Sequence, residues 1–156
     1  MTTSKSIRVL ILEDNPSDAE LMVHELRKVG LEPQWELVDS EQEFLARLTP
    51  ELDLILCDHA LPQFGSRQAL QLVRERCKDV PFIIVSGKIG EEVAVDAMRN
   101  GAADYLLKDR MARLGQAALH ALENRNMREE VLRSASAFRE LEERFVRITT
   151  KIRNLF

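Results

Sequence analysis

Short, almost wholly apolar runs alternate along the chain with longer segments in which apolar residues recur every three or four positions. The short runs have the length and the flanking turn residues of buried parallel strands. The longer segments have the periodicity of amphipathic helices that cover such strands. The pattern predicts strands at residues 7–12, 33–38, 53–58, 81–85 and 103–107, and helices that begin near Pro16, Ser40, Ser66 and Glu91.

Five strands that alternate with five helices predict an α/β fold with a parallel sheet covered on both faces. Right-handed crossovers restrict the topology, and the doubly wound, flavodoxin-like strand order 2-1-3-4-5 is the leading choice. In that order strands one and three are neighbours. Polar residues that follow these two strands therefore lie together at one edge of the sheet.

Carboxylates stand at the ends of the strands that this topology brings together. Glu13 and Asp14 follow the first strand, and Asp58 ends the third. Ligands bind beyond the carboxyl ends of the strands in open parallel sheets. Three converging carboxylates repel one another unless a cation is present, and an all-oxygen set suits Mg²⁺. We therefore expect a Mg²⁺ site here.

Two further polar residues end the remaining strands at the same edge. Ser86 follows the fourth strand and supplies a hydroxyl, and Lys108 follows the fifth and supplies a compact positive charge. A metal, an ammonium, a hydroxyl and a carboxylate together form a site for a phosphoryl group, with the carboxylate as nucleophile. Asp58 is the predicted nucleophile, because no second carboxylate stands beside it.

The last predicted helix is far longer than one domain needs. From about Ala112 to Leu155 it has no proline, and Gly115 is its one glycine. Apolar or small residues recur in steps of three and four, with a predicted break in register between Ala135 and Leu141 and with Arg125 and Arg128 at seam positions. Such a stripe favours self-association or docking onto a following domain. The alternative is a helix frayed after about Asn126.

Composition and charge narrow the function classes. The chain has 156 residues, 45% of them apolar, and a net charge of −4, which favours neither nucleic acid nor an anionic membrane as a partner. No apolar run approaches the ~20 residues of a membrane span. Cys57 and Cys77 lack metal-type spacing and are expected to be buried and reduced, as in a cytoplasmic protein.

The strand-end residues together resemble the receiver domain of two-component response regulators. The resemblance covers about Ile7 to Gln116 and rests on five positions in order, with Leu61-Pro62 and the run 101–104 as support: Glu13-Asp14, Asp58, Ser86, Tyr105 and Lys108. It implies a receiver domain over residues 1–116. Residues 117–156 are then a helical extension, either a coiled coil or a linker to a missing domain.

The resemblance also implies roles for these residues. Asp58 would accept a phosphoryl group from a histidine kinase, a phosphotransfer protein or a small phosphodonor. Asp14, Asp58 and the backbone carbonyl of His59 would bind Mg²⁺, with Glu13 acting through water. Lys108 would contact the phosphoryl group. Ser86 and Tyr105 would then switch the surface formed by the fourth helix, the fifth strand and the fifth helix.

Two departures from the commonest family pattern are visible. Gly87 follows Ser86 where alanine is more usual, and Asp109 follows Lys108 where proline is more usual. The cis peptide expected at the second position is therefore open, since a cis bond before a non-proline residue costs roughly 3 kcal/mol. Ala60 and Lys88 occupy the variable positions that tune phosphate lifetime in the family, and Lys88 is either a phosphoryl contact or a solvated surface lysine.

Other functions remain open from the residues alone. A phosphohydrolase with an aspartate nucleophile needs a second carboxylate two residues later, where this chain has Ala60. A flavodoxin-like cofactor site would place FMN against Glu13 and Asp14, which repel it. A pseudo-receiver would bind partners without phosphorylation. The expected protein is a homodimer through its C-terminal helix, either standing alone or cut from a larger signalling protein, with enzymatic activity limited at most to its own phosphorylation and dephosphorylation.

Overall fold

The computed structural model describes residues 3–88 and 90–155, so the outermost residues of both predicted domains (1, 2 and 156) lie outside it. Five parallel strands form one sheet in the order β2-β1-β3-β4-β5. The elements in chain order are β1 (Lys5–Leu12), α1 (Pro16–Lys28), β2 (Leu31–Val38), α2 (Glu41–Arg47), β3 (Leu54–Asp58), α3 (Ser66–Arg76), β4 (Phe82–Ser86), α4 (Glu91–Arg99), β5 (Asp104–Leu107), a 3₁₀ segment (Lys108–Arg113) and α5 (Leu114–Arg153). The predicted fold class and strand order are confirmed.

Side chains alternate between the two faces of the sheet and form one core on each. On one face Val9, Ile11 and Leu56 pack with apolar residues of α1 and the start of α5. On the other face Leu10 and Ile55 pack with apolar residues of α2 and α3. Strands buried on both faces have no polar side to present, which is why they read as continuous apolar runs.

Local signals set the ends of several elements. Ser40 caps α2, because its Oγ accepts a hydrogen bond from the Glu43 N–H at 3.2 Å. Gly30 and Gly101 follow α1 and α4 with φ of 86° and 103°, a conformation that favours glycine after a helix. The second strand begins at Leu31, two residues before the predicted start. Pro33 is tolerated inside it because β2 is an edge strand.

The first turns of α5 approach α1 very closely. A Cβ atom on Gly115 would lie 2.6 Å from a methyl carbon of Val29 and 2.9 Å from the backbone oxygen of Glu25. Only a residue without a side chain fits at this distance from backbone. The glycine inside a helix is therefore explained by packing.

The chain divides into two compact units, residues 1–122 and 123–156. Ala118, Ala121 and Leu122 are buried in the core of the first unit, so its apolar core extends six residues past the predicted domain end at Gln116. The described part of the second unit is helical through Arg153, so fraying after Asn126 is not seen. Among the described residues no helix is both long enough and apolar enough to cross a membrane.

Candidate functional site at the carboxyl edge of the sheet

Glu13, Asp14 and Asp58 come together at the carboxyl ends of β1 and β3. One carboxylate oxygen from each lies within 4.8 Å of the other two. Glu13 and Asp58 are buried, whereas Asp14 is exposed at the rim. Adjacent parallel strands place these three side chains side by side, as the predicted topology requires.

Lys108 reaches into this cluster from the end of β5. Its Nζ lies 2.7 Å from Oδ2 of Asp18, 3.1 Å from Oε2 of Glu13 and 3.4 Å from Oδ2 of Asp58. Burial alone would lower the pKa of Lys108, but the contacts with Asp18 and Glu13 outweigh it and raise that pKa above its ordinary value. The lysine is therefore a permanent cation at this edge.

The site disfavours the ionised form of Glu13. Burial raises its pKa from 4.5 to about 7, and the negative charge of Asp58 adds to that effect against the Asn15 N–H and Lys108, which lower it. Its Oε1 accepts a hydrogen bond from the Asn15 N–H at 3.1 Å. Its Oε2 faces Lys108 as an ion pair but has no partner in hydrogen-bond geometry. One lysine thus pairs with three carboxylates, those of Glu13, Asp18 and Asp58.

These features fit a hard divalent cation. The cluster offers oxygen atoms only, which Mg²⁺ prefers, and it holds more negative charge than Lys108 neutralises. The buried, unsatisfied oxygen of Glu13 has the chemistry of a group that bonds a metal-bound water. The residues therefore fit the ion that the sequence predicts.

Backbone N–H groups and the ends of the strands orient the remaining site residues. Asp58 accepts a hydrogen bond on Oδ1 from the Ala60 N–H at 3.2 Å, which leaves Oδ2 directed at Lys108. Ser86 is buried at the end of β4. Its Oγ donates to the Lys88 carbonyl at 3.1 Å and accepts from the Lys88 N–H at 3.2 Å. The hydroxyl is thus engaged by its own loop.

Tyr105 is half-buried between the site and the surface of α4. Its ring meets the ring of His59 edge-on, with centroids 6.2 Å apart. On its other side it lines a surface groove with Val95 and Met98 of α4, both of which are about half exposed. It therefore connects the residue after Asp58 with an exposed apolar face.

The His59 side chain is tied to the start of α3. Its Nδ1 lies within hydrogen-bond distance of Oγ of Ser66, 2.7 Å away, and Ser66 is buried. A cavity of about 300 Å³ lies beside this pair, lined by Leu70 of α3 and by Val93 and Ala97 of α4. The loop after Asp58 is thereby fixed to one wall of a cavity whose other wall is α4.

The predicted site residues of β1, β3 and β5 are brought together, and Ser86 ends β4 at the same edge. Asp18 was not predicted, although it makes the shortest contact with Lys108. The one signal for it is an acid in the first turn of α1, and such acids also serve as ordinary helix-start residues. No cis peptide occurs among the described residues, so the Lys108–Asp109 bond is trans. Cys57 and Cys77 are buried and unpaired, as predicted.

Comparison with known proteins supports the geometry. The family model for the response regulator receiver domain matches residues 9–120. The chain is 36% identical over 118 residues to the response regulator protein FleR of Pseudomonas aeruginosa, covering 74% of this chain and 24% of FleR. It is 36% identical over 105 residues to the transcriptional regulatory protein BaeR of Escherichia coli, covering 65% and 41%. The chain thus spans less than half the length of these relatives.

Solved receiver structures share the fold. The signal receiver domain of a putative LuxO repressor protein from Vibrio parahaemolyticus superposes with a TM-score of 0.67 at 23% identity, covering 81% of this chain and 97% of that one. A CheY-like receiver domain protein from Methanospirillum hungatei gives a TM-score of 0.67 at 23% identity, covering 81% and 99%. Both likenesses concern the fold, the parallel sheet with its flanking helices.

Proposed function

The chain belongs to the response regulator receiver domain family of two-component systems, and on that premise we propose that Asp58 accepts a phosphoryl group from a histidine kinase or a phosphotransfer protein. One observation carries the proposal. Oδ2 of Asp58 faces Nζ of Lys108 at 3.4 Å, at the edge of the sheet where Glu13 and Asp14 also lie. The nucleophile Asp58, the cation Lys108 and the acidic cluster would then all lie around one phosphoryl group.

The transfer needs little chemistry beyond positioning. An oxygen of Asp58 attacks phosphorus, the phosphorus–nitrogen bond of the donor's phosphohistidine breaks, and the leaving imidazole nitrogen takes up a proton. Lys108 neutralises charge on the transferring oxygens. The Ala60 N–H holds Oδ1, so Oδ2, which faces Lys108, would be the attacking oxygen.

The acidic cluster is the proposed Mg²⁺ site. Asp14, Asp58 and the His59 carbonyl would bind the ion directly, and Glu13 would bind through water. When bound, the ion supplies positive charge to the phosphoryl oxygens. Asp58 carries both a ligand oxygen and the nucleophile, so we propose that phosphorylation depends on Mg²⁺.

Phosphorylation would change the contacts of Ser86 and Tyr105. The Ser86 hydroxyl now bonds to Lys88, and a phosphoryl oxygen on Asp58 is a stronger, charged acceptor that would draw it away. Tyr105 would then turn inward, away from Val95 and Met98. The exposed apolar face of α4 and β5 would change its shape, and so would the surface offered to a partner.

The competing functions lack support from the site. A phosphohydrolase needs a general acid two residues after Asp58, and Ala60 contributes its backbone N–H alone.

We also propose that the part of α5 beyond Leu122 joins two copies of the chain, because it exposes a row of large apolar side chains in an otherwise mixed-charge helix.

The test is intact mass after incubation with acetyl phosphate, with and without Mg²⁺. We expect a Mg²⁺-dependent gain of one phosphoryl group in the native chain and none in Asp58→Asn. Asp109→Asn is the matched control, since Asp109 is an exposed carboxylate at the same edge of the sheet. No gain from acetyl phosphate and none from a panel of phosphorylated histidine kinases would contradict the proposal.

A further inference from the structure

Beyond Leu122, α5 and the turn that follows it expose large apolar side chains at regular intervals. Eight of them are 53–78% exposed: Met127, Val131, Phe138, Leu141, Phe145, Ile148, Ile152 and Leu155. Single exposed apolar residues are ordinary on a surface, but a row this long on one helix is not. No other element within residues 123–155 covers these side chains, because this segment consists of the second part of α5 and the two residues that follow it.

These residues lie on one unbroken heptad seam. Counting back from Leu155 in alternating steps of three and four gives Ile152, Ile148, Phe145, Leu141, Phe138, Ser134, Val131, Met127 and Asn124. Leu155 is then a d position and Ile152 an a position in the usual notation, and the two alternate along the series. The break in register near Ala135 that the sequence predicts therefore disappears.

The apparent break came from combining two faces of the helix. Leu114, Ala118 and Leu122 belong to the buried core of the first unit. Extended back from Asn124, the seam would continue through positions 120 and 117, whereas the buried residues Ala121 and Ala118 each lie one position later. The seam and the buried positions therefore follow separate registers.

The polar residue Asn124 is the informative member of the seam. It is exposed and occupies an a position, among otherwise apolar a residues (Val131, Phe138, Phe145 and Ile152). An asparagine at a single a position hydrogen-bonds its counterpart across a parallel two-stranded coil. It thereby selects register and strand number at some cost in stability.

Charges beside the seam suit a second copy in parallel register. In that arrangement a g residue faces the e residue five positions later on the other chain. Glu123 then meets Arg128, an attractive pair. The following pairs are Glu130 with Ala135, Ala137 with Glu142, and Arg144 with Thr149, so none of these four pairs like charges.

The length of the seam is also sufficient. From Asn124 to Leu155 it extends about 47 Å at 1.5 Å per residue. Two copies contribute four phenylalanines, each able to bury about 150–250 Å². With the aliphatic residues added, the interface reaches the roughly 1,200–2,000 Å² of a stable pair.

We propose that residues 124–155 form a parallel, in-register, two-stranded coiled coil with a second copy of this chain, with Asn124 setting the register. This deepens the self-association proposed above and is independent of phosphoryl transfer. The Asp58→Asn chain is therefore expected to form the same dimer. Failure of phosphorylation and failure of the coil are thus separate results.

Orientation is tested by one engineered cysteine in the full chain. Ser134 is a d residue, so in a parallel in-register dimer Ser134→Cys faces itself and forms a disulfide under mild oxidation. In a fully overlapped antiparallel pair position 134 would face position 145 instead. Ser136→Cys, the same exchange at the outward f position, is the matched control. Cys57 and Cys77 are buried and do not interfere.

The role of Asn124 is tested by Asn124→Val, with Asn126→Val at the exposed c position as control. Light scattering should give twice the mass of one chain for the native protein and the control. Asn124→Val should remain associated but yield a mixture that includes trimers or higher states. A monomer at high concentration, phosphorylated or not, would overturn the proposal. So would equal cross-linking of the two cysteine variants, or a strict dimer of Asn124→Val.

Discussion

The two parts of α5 differ in what becomes of their apolar residues. In residues 114–122 they are buried against β1, β3 and α1, and even a glycine is required for contact with α1. In residues 123–153 apolar residues of similar spacing are exposed. Both parts have the periodicity of an amphipathic helix, so the periodicity itself does not say which partner covers the stripe. The first part completes a domain, and we propose that the second part pairs with another chain.

A charged side chain introduced into each part of α5 tests this difference with the largest expected effect. Ala118→Asp puts a carboxylate in the fully buried core, where no partner compensates it, and should lower the free energy of unfolding by about 3–5 kcal/mol. Phe145→Glu puts a charge on the exposed seam and should leave receiver unfolding unchanged while preventing dimer formation. Chemical denaturation and light scattering measure the two effects. Comparable losses of stability in both variants would contradict the division.

Reciprocal glycine and alanine substitutions in the two parts of α5 test the same difference. Gly115→Ala should destabilise the receiver by about 1–3 kcal/mol, because the new methyl group meets the Glu25 backbone oxygen at 2.9 Å. This is expected even though alanine is the better helix former. Ala135→Gly in the exposed part should instead lower helicity, by about 1 kcal/mol of helix stability. Thermal denaturation followed by circular dichroism separates the two, and a stabilised Gly115→Ala would refute the packing argument.

Changes at the phosphoryl site should affect the first unit alone. Asp18→Asn removes the shortest contact of Lys108 and frees its ammonium to approach Asp58. We expect phosphorylation by acetyl phosphate to be roughly fivefold faster, which corresponds to about 1 kcal/mol, with no change in dimer mass. Glu20→Gln, an exposed acid on the same helix, is the control, and Asp18→Glu should restore the native rate. A slower reaction in Asp18→Asn would show that Asp18 helps the lysine instead.

A further expected effect is a pH dependence that Glu13 gives to the stability of the metal-free receiver. Its folded-state pKa of about 7 is above its ordinary value of 4.5. The contribution of Glu13 to the free energy of unfolding is fully present below pH 4.5, where its carboxyl group is protonated. It is lost as pH rises through about 7. Glu13→Gln should remove that part of the decline, and Mg²⁺ should stabilise the native chain more at about pH 8 than at about pH 5. Denaturation in EDTA across roughly pH 4–8 tests this, and identical pH profiles for both chains would contradict it.

Much of the receiver was predictable because its signals are local. The apolar run that ends at Asp58, the Pro16 helix start and the glycines after two helices each identify an element from a few neighbouring residues. Parallel strands then bring Glu13, Asp14 and Asp58 to one edge whatever the details of packing. The residue roles at that edge remain predictions, supported by the geometry and awaiting the phosphorylation assay.

The contacts made by long side chains could not be predicted from such local signals. Lys108 and Asp18 are 90 residues apart, and their hydrogen bond depends on how α1 and β5 pack on the same sheet. The engagement of Ser86 with Lys88 and of His59 with Ser66 likewise depends on the final course of two loops. Sequence periodicity carries no information on these distances.

The order of strands and helices, the edge at which the polar residues collect and the length of the final helix could all be predicted from the sequence. These follow from periods of two and 3.6 residues and from the direction of parallel strands. The tertiary structure alone decided where the core ends along α5, at Leu122, and therefore which apolar residues remain exposed. Burial is settled by packing between distant segments, so the unbroken seam from Asn124 emerged only after the buried positions were separated from it.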